Sequence, residues 1–465
     1  MPRTFRAGSP RGLFRPLPAP AASVSAPAAV ATVTAAAVVA AFAVSALAQH
    51  GIRDLAPYNL GEFLISYQGG FVRRGLFGEI LYRLSPSADQ AHIEQVIIAS
   101  SVFAYGCCFA LVWRWLIRYS GSAIITLLVI LQPFLFAFPI LEFQWIRKDC
   151  FLLLAFYASA IVLGRGAPMR FVVVNFVSII AILTHESYGF SFLPLLALLA
   201  AAPVADTDSP IRRIARSIGR LTPSLLTFAL VLVRHGNALV ADRIIGSWQA
   251  RGVFLYDQPD PRYRSAVRAL AQSAGEASST LWQLVQAAQD GNWIVPAYWL
   301  AAIPISATAL CIAAVYRRGS RPSPCRPTDR MLNRDFKEAS ACLSITGCCF
   351  APLFVLGLDF GRWVFLWLAA SLAIVFTDRR SSFLSTVHGA MSPSARSIAR
   401  RTRQALFGPL AALFGFGSSW ASPLTAMAVT IWCFPMPIGL ISKDLFDLAG
   451  HSLVARLVGA IAARW

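Results

Sequence analysis

The chain has 465 residues, 57% of them hydrophobic and 14% charged, with 41 Lys and Arg against 22 Asp and Glu. A soluble domain carries about 25% charged residues, so this composition argues against one, and a mean hydropathy of +0.60 excludes a disordered chain. A nucleic-acid binder can reach a net charge of +19, but not with this much apolar sequence. What is left is an all-α, polytopic integral membrane protein whose positive charge needs a location.

Spans of about 20 apolar residues are the unit of such a fold. A basic leader, residues 1–21 with Arg3, Arg6, Arg11 and Arg15, precedes a first apolar run at 22–48. Cleaved or retained, that run delivers Gln49 to the outer side, and its length favours an uncleaved anchor. Further spans are expected near 94–113, 122–141, 149–164, 171–184, 188–203, 221–240, 295–316, 339–357, 361–377 and 421–440, about eleven in all. Together they form one membrane domain over 22–465, with outer loops at 49–93 and 241–294 and inner basic loops at 317–338 and 378–405. Residues 405–418 suit a re-entrant or interfacial piece. The nine cysteines sit mostly inside apolar runs, without metal-ligand spacing, and read as small buried hydrophobes.

Orientation follows from Lys and Arg in short loops. With the N-terminus inside, 25 of the 41 basic residues lie on the inner side and 16 on the outer, while 6 of the 22 acids lie inside and 16 outside. All of the excess charge is therefore inner, where it orients the chain and meets anionic lipid, as the tract from Arg317 to Arg334 would. Basic residues on the outer side run against this bias and are the informative ones.

Four outer motifs carry them. In Tyr67-Gln-Gly-Gly-Phe-Val-Arg-Arg-Gly-Leu-Phe-Gly-Glu79, Gly69 and Gly70 permit a turn, and Gly75 and Gly78 allow close backbone approach. Phe77, Ile80, Leu81 and Leu84 repeat at helical spacing, so Arg73 and Arg74 stand at the start of an interfacial helix. Two arginines beside helical N–H groups suit a phosphate or diphosphate, whereas lipid-headgroup snorkelling is the plainer use. Glu142-Phe-Gln-Trp-Ile-Arg147-Lys148-Asp149 crowds four ionisable groups into a turn, with local Arg147–Glu142 or Lys148–Asp149 pairs as the plain alternative.

Thr184-His185-Glu186-Ser-Tyr188 puts a His-Glu pair at the apex of an apolar hairpin, where Glu186 is a candidate base. Gly189 stands where a second zinc-binding His would be, so no metal is expected. In Leu358-Asp359-Phe-Gly-Arg362-Trp363, Asp359 and Arg362 share a helical turn.

Cations beside carboxylates at the membrane surface fit a lipid (di)phosphate bearing a sugar. Arg73, Arg74, Arg147 and Arg362 would stabilise the departing phosphate, and Glu186, His185 or Asp359 would deprotonate the acceptor. Lys148, Trp363, Glu79 and Asp149 complete the expected binding set. No nucleotide-binding loop is visible, and no cofactor is expected.

The runs Gly70-Phe-Val-Arg-Arg-Gly-Leu, Arg147-Lys148-Asp149, His185-Glu186 and Asp359-Phe-Gly-Arg362-Trp resemble bacterial polysaccharide-assembly membrane proteins of the Wzy type. That resemblance implies transfer of undecaprenyl-diphosphate-linked oligosaccharide, without metal, on the periplasmic face of the inner membrane, alongside other assembly proteins. A GT-C-like transferase using a polyprenyl-phosphate sugar is the second choice: such enzymes usually place catalytic acids in the first outer loop, where Asp54, Glu62 and Glu79 lie here without a paired acidic motif. A transporter of lipid-linked glycan or another anion ranks third, because little charge is buried in the inner half.

Overall fold

Every regular element among the described residues is helical. The structure, a computed structural model, describes residues 57–85, 89–120, 135–136, 146–165, 169–202, 208–254, 266–271, 286, 298, 303–308, 310–312, 314–315, 329–356, 359–376 and 380–413. The basic leader and the runs expected at 22–48, 122–141 and 421–440 lie outside the described residues, apart from Leu135 and Phe136.

Helix α1 (Pro57–Phe63) leads through a 3-10 turn (Tyr67–Gly69) into α2 (Gly75–Leu84). A long apolar helix, α3 (Gln90–Ser120), follows, and then α4 (Asp149–Arg165), α5 (Arg170–Thr184) and α6 (Ser187–Ala201). Helix α7 (Pro210–Arg220) starts where Ser209 Oγ accepts from Arg212 N and proline occupies the first turn, a favoured arrangement for a helix start. It turns through 64° into α8 (Thr222–Val233). After α9 (Ala238–Gln249) and a 3-10 turn (Arg268–Ala271) come α10 (Asp329–Leu356), α11 (Phe360–Val375), α12 (Arg380–Ala390) and α13 (Pro393–Leu413).

The main core is formed where α4, α6, α10 and α11 meet, with Phe156, Tyr157, Tyr188, Phe192, Phe350 and Phe365 fully buried. Large apolar side chains also cover the outside. Val102 and Phe103 on α3, Phe176 and Ile180 on α5, and Leu226 and Leu230 on α8 are all exposed. Contiguous apolar surface of this kind needs an apolar neighbour.

The expected count of about eleven spans is not reached among the described residues. Gln90–Leu116 and Arg334–Leu356 are long and apolar enough to cross a membrane, and each of two bent pairs, α7 with α8 and α11 with α12, adds one at most. Helices α4, α5 and α6 have 17, 15 and 15 residues. At about 1.5 Å per residue they fall short of a hydrocarbon layer of about 30 Å. The span expected at 221–240 ends at Val233, because Gly236 turns the backbone at φ +109° and Asn237 Oδ1 accepts from Val240 N to start α9. Part of the outer loop at 241–294 is thus helical. The inner basic stretch 378–405 is likewise α12 and much of α13, and the Ala and Arg of α13 are good helix formers.

A second, smaller core lies at the end where α4, α6 and α11 begin. Leu60, Phe63, Leu64, Ile65 and Val72 pack against Ile244, Ile245 and Trp248 of α9. Trp248 Nε1 donates to the Leu64 carbonyl at 2.7 Å, and the Phe63 and Phe77 rings meet edge-on. As expected, α2 docks through glycines: a Cβ at Gly78 would lie 2.0 Å from the Ile65 carbonyl oxygen, and one at Gly75 would enter the Tyr67 ring. Leu81 faces this core, whereas Ile80 and Leu84 are exposed.

Because the obstacle at Gly78 is backbone, Gly78→Ala should lower stability by about 1–3 kcal/mol. Gly106→Ala on α3, where a Cβ meets open space, should be neutral or slightly stabilising. Thermal unfolding of both variants in detergent checks the contrast.

Candidate functional site

The four motifs, spread over about three hundred residues of sequence, meet in one cluster. Its floor is built at helix starts. Asp149 opens α4, Asp359 is the N-cap of α11 with Arg362 in the first turn, and His185 and Glu186 form the two-residue joint between α5 and α6. The segment from α1 to α2 closes over them. At its tip Arg74 takes φ 65°, the sole positive φ outside glycine among the described residues. That conformation is strained for a side-chain-bearing residue and persists only when its surroundings impose it.

The surroundings here are ionic. Arg74 Nε donates to Glu186 Oε2 at 2.8 Å while its Nη2 reaches Oε1, and Lys148 Nζ donates to the Arg74 carbonyl at 2.9 Å. Arg73 Nη1 lies 3.4 Å from Glu186 Oε1 and its Nη2 donates to the Ala269 carbonyl at 3.1 Å. Arg362 grips Asp149 with both arms of its guanidinium, with Nη2 to Oδ1 at 2.7 Å, and stacks on the Trp363 ring. Arg147 Nη1 donates to Asp359 Oδ2 at 3.0 Å and its Nε to Asn59 Oδ1 at 2.8 Å.

These pairings are largely non-local. The Lys148–Asp149 pair considered from sequence gives way to Asp149–Arg362, and Arg147 pairs across the cluster (Glu142 lies outside the described residues). The expected Asp359–Arg362 contact is present at 3.5 Å but is the weaker of Arg362's two aspartate contacts. Glu79 stands apart. It accepts from Tyr67 N, Gln68 Nε2 and Arg83 Nε, and so folds its own loop.

At the centre is a residue absent from the expected set, Glu62. It is fully buried, with Oε1 3.0 Å from His185 Nε2, and Arg362 and Arg74 at 3.8 and 3.9 Å. Apart from the imidazole contact, neither carboxylate oxygen has a hydrogen-bond donor among the described residues. Ser187 N donates to His185 Nδ1 at 3.1 Å, which puts the proton of a neutral ring on Nε2, where Glu62 lies at 3.0 Å and Arg362 Nη2 at 3.3 Å. The sequence signal was a lone acid inside the apolar run Leu60-Gly-Glu62-Phe-Leu-Ile65. A buried charge of this kind persists only where opposite charge reaches it.

Five cations (Arg73, Arg74, Arg147, Lys148, Arg362) thus face four carboxylates (Glu62, Asp149, Glu186, Asp359). Burial pushes the carboxyls of Glu62 and Glu186 up, but the neighbouring arginines and His185 outweigh it and hold both well below the usual range. Burial, with Arg74 adding to it, pulls His185 down to about 4, so its imidazole is neutral. Burial pulls Lys148 down to about 7. Exposure is graded: Asp359, Arg73 and Arg74 keep 33%, 22% and 16% of their side-chain surface, whereas Glu62, Lys148, Asp149, His185 and Arg362 are sealed. The open rim therefore presents two guanidinium groups and one carboxylate. Among the described residues no three His, Cys, Asp or Glu side chains are placed to hold a metal.

Residues 30–253 match the model of a family described as uncharacterised membrane protein Rv1490. This is a membrane protein. The matched stretch, just under half of the chain, holds Glu62 and three of the four motifs, and Asp359-Phe-Gly-Arg362-Trp363 lies beyond it. No curated protein and no solved structure matches the chain.

Removing one partner of a sealed pair strands the other charge. Asp149→Asn should cost about 3–5 kcal/mol, whereas Arg83→Ala, at an exposed pair with Glu79, should cost under about 1 kcal/mol. Thermal unfolding separates the two.

The pH response has a definite sign. His185 titrates near 4 when folded against 6.5 when unfolded. The unfolded chain therefore takes up the proton first as pH falls, and stability is lost between those values. The melting temperature should drop across that window, and His185→Gln should flatten the drop.

Proposed function

We propose that this chain is a glycosyl-transfer enzyme of the membrane, acting on a sugar carried by a polyprenyl phosphate or diphosphate. The observation that carries the reading is the rim of the cluster. Two partly exposed arginines and one partly exposed carboxylate belong to one ion-pair network at the end of an apolar helix bundle, joined through the sealed Glu62 and Arg362. A polyprenyl chain suits the apolar flank, and its phosphate suits Arg73 and Arg74.

In the proposed step the acceptor hydroxyl oxygen bonds to the anomeric carbon as the bond from that carbon to phosphate oxygen breaks. The phosphate keeps the electron pair, and its new charge is met by Arg73 and Arg74, pre-positioned donors of the kind that lower such barriers. Asp359 takes the acceptor proton, since it is the most exposed of the four carboxylates. Glu186 is held by both arginines and orients them. Neutral His185 donates to Glu62 and sits below the rim, so it positions the floor. By the lysine and arginine bias the site faces the outer side of a bacterial inner membrane.

A polyprenyl-phosphate-sugar transferase is the second reading: the first outer loop brings an acid, Glu62, to the centre of the cluster, where it is sealed and holds the floor rather than meeting the reacting atoms.

With membrane levels confirmed, Asp359→Asn should lower transfer from a polyprenyl-linked sugar by about 10²-fold or more. Arg73→Ala should lower it by about 10²–10³-fold. A single added sugar supports the transferase and a ladder of products the polymerase. Full activity in both variants would overturn the proposal.

A further inference from the structure

The opposite end of α10 and α11 carries a second basic site that the transfer reading does not use. From Arg362 to Val375 the helix rises about 20 Å, at about 1.5 Å per residue, so the two ends are well separated. There α12 and α13 fold back on the start of α10. Arg380 donates to Asp335 at 2.8 Å and to Glu338 at 3.1 Å, which fixes α12 against α10 and consumes both acids.

What remains is cationic. Lys337, Arg400 and Arg403 line adjoining cavities of about 320 and 390 Å³ between α10 and α13; Glu338 also lines the smaller one, where it is already paired with Arg334 and Arg380, and the three cations have no ion pair among the described residues. Sequence explains the imbalance, since no Asp or Glu occurs from Arg379 to Lys443. Arg403 Nη1 is aimed by its bond to the Lys337 carbonyl at 3.2 Å. Burial and the adjacent Arg400 hold its guanidinium below its ordinary range, the sign of a cation lacking a counter-charge.

The same cavities have an apolar side, with Phe336 and Phe407 in one and Leu384 and Ala341 in the other. Along α13, Ile398 and Leu406 are exposed. A phosphate with nothing attached would use the arginines but not the apolar walls of the cavities. A phosphate on an acyl-bearing lipid uses both.

We propose that the cavities between α10, α12 and α13 bind an anionic phospholipid. Its phosphate lies on Arg400, Arg403 and Lys337, and its chain runs along Phe336 and Phe407. This site is independent of the glycosyl-transfer reading and of its side chains.

The test uses the full chain in nanodiscs of phosphatidylglycerol and phosphatidylcholine, extracted into mild detergent, with co-purifying lipid counted by native mass spectrometry. Phosphatidylglycerol should be retained over phosphatidylcholine, and Arg400→Ala with Arg403→Ala should cut that retention about tenfold or more. Arg401→Ala, outside the lining, should leave it unchanged. Size-exclusion profiles confirm folding, and Arg403→Lys should restore part of the retention if the double variant misfolds. Equal retention of the two lipids, an unaffected double variant, an equal loss in Arg401→Ala, or displacement by millimolar inorganic phosphate would each overturn the proposal.

Discussion

The fold at the site end depends on one constraint: a charge removed from water must find opposite charge or hydrogen-bond donors nearby. Asp149 begins one helix and Arg362 sits in the first turn of another, and both are sealed. Their two-armed contact therefore fixes how α4 and α11 stand relative to each other. Arg74 to Glu186 does the same between the α1–α2 segment and the α5–α6 joint, and Arg147 to Asp359 ties the start of α4 to that of α11. Apolar packing alone would hold these helices together while leaving their ends free to slide. Buried ion pairs add little net stability, but they penalise every wrong register.

The two ends of the bundle use charge in opposite ways. Around Glu62 five cations meet four carboxylates, and the surplus is exposed at the rim through Arg73 and Arg74. At the start of α10 the acids Asp335 and Glu338 are both taken by Arg380, and the cations beyond them face cavities with apolar walls. The first end, with most of its charges buried and paired, is preorganised and little affected by salt, whereas the second draws its counter-charge from outside the chain.

Much of the site was legible as composition and little of it as pairing. Arginines on the side where the charge bias disfavours them, and a His-Glu pair between apolar runs, stood out because each is costly without a role. The glycines at 75 and 78 also read correctly, since close approach leaves a mark in sequence that ridges of leucine do not. Partners did not read, because Arg362 and Asp149 are separated by 213 positions and nothing local distinguishes that pairing from Asp149 with Lys148. Glu62 escaped because a lone acid forms no motif, and its meaning lies wholly in what folds around it. The span count is not reached among the described residues, in part for a related reason: apolar length is visible, but Gly236 and Asn237 cut one run with a turn that hydropathy averages away.

The strained Arg74 joins these threads. Its positive φ would be relieved by moving the α1–α2 segment, yet two separate contacts oppose that movement: the guanidinium on Glu186 and the carbonyl on Lys148. The first is an ion pair and the second a hydrogen bond from Lys148, which burial pulls down to about 7. An anion arriving at the rim would compete with Glu186 for the same guanidinium while raising the proton affinity of Lys148. The backbone conformation, the protonation of the floor and occupancy of the rim are therefore linked through one residue, and a ligand that binds Arg74 must also act on the segment that closes the site.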